Sequence, residues 1–174
     1  MNIFSKKIKE GFTLIELLVV VAIIGLLATL SIVALNTARD QSRKAKTNAD
    51  LSRLIDAIIM AQGENGKTLL KITGSNCSDC GCRGIGSITN ISAASSCYLS
   101  WQNVVLKISE ECGGLFEGIK KITRDPWGSP YLLDENEGES GGCGSDSLKS
   151  AGPDGLWGTF DDISRLVPKS NFCP

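Results

Sequence analysis

The sequence predicts an α+β fold: a long N-terminal helix, half membrane-spanning and half amphipathic, packed on a small antiparallel sheet. Three observations carry this reading. No side chain between Glu16 and Arg39 bears a formal charge. Neither glycine nor proline occurs from Thr37 to Gln62. The C-terminal third carries short strand-like runs separated by turn-forming residues.

The uncharged stretch, apolar from Leu17 to Leu30, is long enough to cross a bilayer. A helix rises about 1.5 Å per residue, and the hydrocarbon core is about 30 Å thick. Beyond it, Leu51, Leu54, Ile55, Ile58, Ile59 and Gln62 recur at helical spacing on one face, while Asp50, Arg53 and Asp56 face elsewhere. Gly63, Asn65 and Gly66 supply an end signal. A continuous helix from Phe12 to Gln62 would be about 75 Å long.

Lys67 to Thr73 is short and mixed, and gives no clear element. A second helix is expected where Ser95 or Ser96 offers a cap and Gly113–Gly114 an end. Tyr98, Trp101, Val105 and Ile108 share its apolar face, with Val104 and Leu115 beside them. These aromatics read as core packing. Arg124 to Tyr131 is a turn in which Pro126 presets φ and Gly128 gives a permissive backbone. Tyr131–Leu133 and Ser147–Ser150 are expected strands around the polar loop Asp134–Ser145.

Composition narrows the function. The 174 residues leave room for one modest ectodomain after the helix. There is no histidine, which excludes imidazole general bases and imidazole metal ligands. The net charge of −1 gives no support to nucleic-acid binding. All seven cysteines (Cys77, Cys80, Cys82, Cys97, Cys112, Cys143 and Cys173) lie beyond the long helix. That partition suits an ectodomain in an oxidising compartment, with three disulfides of open connectivity and one thiol left over. Zinc at Cys77, Cys80 and Cys82 is the rival reading. Without histidine it needs a fourth thiolate, and no second Cys-x-x-Cys supplies one. A thioredoxin-like motif at Cys77–Cys80 lacks a strand–helix setting.

The N-terminus departs from an ordinary secretory signal. There, small residues after the apolar segment mark the cut. Here the candidate cut, Gly11–Phe12, precedes the apolar segment, so cleavage would keep the helix. Losing residues 1–11 removes three lysines and one glutamate, which takes the formal charge from −1 to −3. Charge alone does not orient the helix: Lys6, Lys7 and Lys9 precede it, and Arg39, Arg43, Lys44 and Lys46 follow. Glu16 is a carboxylate at the edge of hydrocarbon. Such a residue is a functional candidate, although it could also simply reach water.

The basic leader ending in Gly11, followed by Phe12-Thr-Leu-Ile-Glu16-Leu-Leu-Val-Val20, resembles type IV pilins and type II secretion pseudopilins. The resemblance implies that a prepilin peptidase cuts between Gly11 and Phe12 and methylates the new amino terminus. Glu16 becomes the fifth mature residue and pairs with the Phe12 amino group of a neighbouring subunit. Residues 1–11 are then a cleaved leader, 12–36 a transmembrane and filament-core helix, and 37–174 an extracytoplasmic ectodomain. Many relatives carry a proline in the membrane helix; this chain has none there, and Gly25 is its only weak point.

Two C-terminal segments, Asp125-Pro-Trp-Gly-Ser-Pro-Tyr131 and Gly152-Pro-Asp-Gly followed by Asp161-Asp-Ile163, resemble the major pseudopilins, whose loop binds calcium. Carried over by resemblance, Asp154, Asp161 and Asp162 match side-chain ligand positions, and Ala151 and Thr159 match carbonyl donors. The chemistry agrees, since Ca²⁺ takes six to eight hard oxygen ligands and tolerates irregular loops. Gly152, Gly155 and Gly158 let the chain fold back. The spacing is not that of an EF-hand. On the residues alone, an ordinary Asp-Gly turn also fits.

The resemblance implies a structural assembly subunit, not an enzyme. It would be a single-pass protein of the inner (cytoplasmic) membrane with its ectodomain periplasmic or extracellular. It would polymerise with itself into a helical pseudopilus that drives protein export. Minor pseudopilins, the prepilin peptidase and an inner-membrane assembly platform are the implied partners. The cysteine-rich middle leans instead towards a type IV pilin of a surface filament, for adhesion, motility or DNA uptake. A membrane-tethered, cysteine-rich binding or redox module is a third reading.

Overall fold

The computed structural model describes residues 11–74, 77–137 and 142–171. The expected leader up to Glu10, part of the loop after Asp134, and Cys173 lie outside them. The chain divides into two compact units, Met1–Ser42 and Arg43–Pro174. One helix, α1 (Leu14–Asn65), contributes to both.

In the first unit every side chain of α1 is exposed, including Leu14, Ile15, Leu17, Leu18 and Val33. A helix that is apolar all round and unburied belongs in lipid or among other helices. It is long and apolar enough to cross a membrane. Its few hydroxyls are satisfied locally: Thr29, Ser31 and Thr37 donate to the carbonyls of Leu26, Leu27 and Val33.

In the second unit α1 buries a stripe of Thr47, Asp50, Leu51, Leu54, Ala57, Ile58, Ala61 and Gln62. This corrects the expected face in two places. Ile59 is 44% exposed, and Asp50, expected outside, is buried. The stripe runs through Ala57 and Ala61, small residues that let neighbouring elements approach closely. Asp50 is tolerated inside because Tyr131 Oη donates to it at 3.0 Å and Lys46 pairs with it. The helix ends one turn later than Gln62. Gly66, at φ 60°, donates its N–H to the Gln62 carbonyl at 3.0 Å.

The mixed segment forms a short helix, α2 (Leu69–Thr73), closed by Gly74 at φ 68°. The second expected helix is α3 (Ser96–Glu111), with the Ser95 hydroxyl accepting from Tyr98 N. Tyr98, Trp101, Val104, Val105 and Ile108 are buried as expected. Leu115 is 75% exposed, because it lies past the positive-φ Gly113–Gly114 break and no longer follows the helical face. Trp101 Nε1 donates to the Ile122 carbonyl at 2.8 Å, and its ring lies 5.6 Å from that of Tyr131.

The sheet has three antiparallel strands in the order β1-β2-β3: β1 (Leu132–Asp134), β2 (Ser147–Ser150) and β3 (Ile163–Leu166). Leu133 pairs with Leu148, and Leu148 with Arg165. The first two strands were expected, although β1 starts one residue later. β3 was not, because Ile-Ser-Arg-Leu is a mostly exposed edge strand with no buried alternation. The main core joins the α1 stripe to Leu69, Trp101, Ile108, Leu133 and Leu148. A smaller core holds Cys82, Ile88, Cys97, Leu132 and Ala151.

The Asp50–Tyr131 bond reaches from α1 to the start of the sheet. Tyr131→Phe leaves a buried carboxylate short of one donor, so it should destabilise the fold by about 1–3 kcal/mol. Urea unfolding followed by tryptophan fluorescence would measure this.

Candidate functional site

The N-terminal site is set by a reciprocal cap. Gly11 and Phe12 precede α1 and are exposed. Glu16 lies in the first turn, where its Oε2 accepts from Thr13 N at 2.8 Å and Thr13 Oγ1 at 2.7 Å. Thr13 Oγ1 in turn accepts from Glu16 N at 3.3 Å. This is a capping box, legible in Thr-x-x-Glu; Glu16 was expected as a site residue, and Thr13 was not. Glu16 therefore starts the helix as well as carrying a charge.

The C-terminal site is the loop from Ala151 to Asp162, after β2. All three expected carboxylates meet at the Thr159 hydroxyl: Oδ1 of Asp161 at 2.6 Å, of Asp154 at 3.3 Å and of Asp162 at 3.5 Å. One hydroxyl proton cannot satisfy three anionic oxygens. Backbone donors hold them in place: Leu156 N to Asp154, Asp154 N to Asp161 and Gly158 N to Asp162. The Thr159 hydrogen bond holds the Asp161 carboxyl below its usual range. Partial burial raises that of Asp162, and the Asp161 and Asp154 charges push the same way. Ala151 is buried at the loop's start. Gly152 is required beside it, since a Cβ there would lie 2.4 Å from the Asp161 carbonyl oxygen. Thr159 was expected to offer its carbonyl. That oxygen accepts a long bond from Asp162 N at 3.4 Å, and the hydroxyl is the hub.

The cysteine-rich segment grips this loop. Ile88 N donates to the Gly155 carbonyl at 2.8 Å, and Ser87 Oγ to that of Asp154 at 3.0 Å. Trp157 Nε1 donates to Asp79 Oδ2 at 3.3 Å, and Arg83 lies 5.0 Å over the Trp157 ring. Arg83 also pairs with Asp79 and Asp134. Burial and the Asp134 charge raise the Asp79 carboxyl, with Arg83 opposing. The same segment holds the other signature turn, through Asn90 N to the Gly128 carbonyl at 3.1 Å and Arg124 to the Ile91 carbonyl. Within that turn, buried Asp125 accepts from Trp127 N, Ser129 N and Ser150 Oγ, which ties it to the end of β2. None of the clasp residues 79, 83 and 87–90 stood out in the sequence, because they act by position and lack a motif.

The structure pairs four of the cysteines. Cys77 bonds Cys80, Cys82 bonds Cys97, and Cys143 is also in a disulfide. Zinc at Cys77, Cys80 and Cys82 is therefore overturned, since all three thiols are consumed. Cys112, one of the disulfide candidates, is the free thiol among the described residues. It is buried and donates to the Ala57 carbonyl at 3.2 Å.

Residues 6–32 match the prokaryotic N-terminal methylation motif. The chain is 32% identical to the type II secretion system core protein G of Escherichia coli (strain K12), over 90% of both chains. It is 29% identical to that of Aeromonas hydrophila, over 92% of this chain and 94% of the relative. It belongs to the core protein G family. The members of this pseudopilin family are structural subunits, not enzymes. The type IV major fimbrial protein FimA of Dichelobacter nodosus is 39% identical, but over only 42% of this chain and 49% of its own. No solved structure gives a significant match. The cysteine-rich middle therefore does not mark a surface pilin. In this member of the family it forms the clasp on the C-terminal loop.

If the clasp fixes the loop, Gly155 is its tightest point. A Cβ there would lie 2.1 Å from Thr89 Oγ1 and 2.7 Å from Ser87 Oγ, at φ 67°. Gly158 has φ 83° and open space around it. Gly155→Ala should cost about 2–4 kcal/mol, and Gly158→Ala only the backbone strain of about 1 kcal/mol. Equal losses in chemical denaturation would show that the clasp contributes nothing.

Proposed function

We infer that the chain is a structural subunit of a type II secretion pseudopilus, built by self-assembly through its N-terminal helix. The match to core protein G over at least 90% of this chain and of these relatives carries this conclusion. The exposed apolar half of α1 is the surface that leaves lipid for a filament core. A surface pilin is not favoured, because the FimA likeness covers less than half of the chain.

The finer reading places the subunit in the inner membrane. A prepilin peptidase cuts between Gly11 and Phe12 and methylates Phe12. An assembly platform and minor pseudopilins then act with it in filament growth. Disulfides in the second unit support an ectodomain on the oxidising side. Glu16 pairs with the Phe12 amino group of a neighbour, exchanging its Thr13 bonds for an ion pair in a low-dielectric setting.

Calcium in the C-terminal loop completes the proposal. Asp154, Asp161 and Asp162 would hold it, with backbone oxygens of Ala151 and Thr159. The support is the donor set: hard oxygens only, three carboxylates, and one hydroxyl proton among them. The carboxylates meet through that hydroxyl. Bound, the ion would neutralise their mutual repulsion and fix the loop.

Two outcomes are expected. Calcium at about 100 times its dissociation constant should stabilise the full-length protein in detergent by about 2.7 kcal/mol. Chelator should reverse this, and Asp161→Asn should remove it. A melting temperature indifferent to calcium but sensitive to reductant would leave the loop as a turn. Glu16→Ala should keep membrane insertion and lose filaments by electron microscopy, and normal filaments would refute the pairing.

A further inference from the structure

Two apolar features of the second unit are left uncovered. Phe160 stands fully exposed in the acidic loop, next to Asp161 and Asp162. Leu156 and Trp157 of the same loop are also partly exposed. Elsewhere an open hollow of about 320 Å³ is lined by Arg53, Leu115, Phe116, Gly118, Ile119 and Ile122. Leu115 lies on this hollow with three quarters of its surface in solvent. A single exposed leucine needs no explanation, but an apolar knob and an apolar hollow on one chain do.

The two fit each other in size and in charge. A cavity of about 150 Å³ takes a benzene ring, so the hollow has room for a phenyl group. The loop around Phe160 carries Asp154, Asp161 and Asp162, and a bound divalent cation would still leave it at −1. The hollow presents Arg53, with exposed Lys121 next in sequence to Ile122. Its nearest acid by sequence, Glu117, is already paired with Lys120 at 2.6 Å. Phe160 is fully exposed in its own chain, so it does not fill its own hollow. A helical filament is built from heterologous contacts, in which one patch meets a different patch on the next copy.

We propose that Phe160 and its acidic loop seat in the Leu115–Phe116 hollow of an adjacent subunit in the filament. This rests on the pseudopilus reading and names a surface for it outside the membrane helix. It also gives the loop a role in assembly: whatever fixes the loop presents Phe160 at a set angle.

The test uses the full-length chain assembled into filaments. Phe160 is replaced by the photo-crosslinking aromatic p-benzoylphenylalanine, which keeps a ring at the knob, and the filaments are irradiated. A ladder of covalently linked subunits, joined at the Leu115–Phe116 segment by peptide mapping, is expected. Filaments that form normally but give no ladder would overturn the contact, as would crosslinking of the knob to an exported protein in place of a subunit. If the unmodified chain forms no filaments, the pseudopilus reading fails and takes the contact with it. Separately, Phe160→Ser should cut filament yield about tenfold. Its melting temperature should stay unchanged, since Phe160 makes no buried contact of its own. Unchanged yield would overturn the proposal.

Discussion

One helix must satisfy two solvents, and the rest of the structure follows from how it does so. In hydrocarbon every backbone N–H and C=O must be bonded within the segment, which enforces an unbroken helix from its first turn. The same helix, past Ser42, has to bury a stripe against its own chain. Leu51, Leu54, Ala57, Ile58 and Ala61 are all at most 1% exposed. Trp101, Ile108, Leu133 and Leu148 join them in one cluster. Alternation of large residues with Ala57 and Ala61 makes this a close-packed seam. Asp50 is a charge admitted there, and it is held by Tyr131 and Lys46. A buried carboxylate with fixed partners contributes less to net stability than to a unique arrangement, because any shifted packing leaves it unpaired.

The cysteine-rich segment is best understood from what it touches. Residues 87–91 lie between the two signature turns and bond to both: Asn90 to Gly128, and Ile88 to Gly155. A segment with so little regular structure would have a high entropy of ordering. The Cys82–Cys97 bond encloses it, and a closed loop of that length offsets about 3 kcal/mol of that cost in the chain-entropy model. Cys82, Ile88 and Cys97 then share a small core with Leu132 and Ala151, the residue from which the acidic loop departs. The disulfide thus acts at a distance on the carboxylates, by fixing the strand of chain against which their loop leans. Calcium, if held at Thr159, would act on the exposed end of the same loop.

Much of this was legible. Periodicity located α1 and α3, and a serine and two glycines set the ends of α3 within a residue, because capping is local chemistry. What failed was nonlocal. Ile59 and Asp50 were assigned to the wrong faces because a hydrophobicity count favours large residues and overlooks alanines that line a tight seam. β3 was missed because an edge strand that buries almost nothing leaves no pattern to count. The carboxylates of the C-terminal loop were legible as a cluster. The one local miss is their hub, the Thr159 hydroxyl, which lies two to five residues from the aspartates it joins, where only the Thr159 carbonyl was expected to act. Their clasp, from Asp79 to Asn90, was not legible, since it arises from contacts across long sequence separations.

The positive charges flanking α1 do not orient it, but the second unit carries a redox constraint of its own. Its small core is closed by a disulfide, and the turn that carries Asp79 by another. In a reducing compartment these bonds would open, residues 87–91 would lose their enclosure, and the grip on Gly155 would weaken. The mutual repulsion of the three carboxylates around one hydroxyl would then be opposed only by the backbone donors of their own loop. The two disulfides therefore suit an oxidising environment for this unit. Disulfides and the acidic loop are one constraint: the bond that closes residues 82–97 also fixes the chain against which the carboxylates lean.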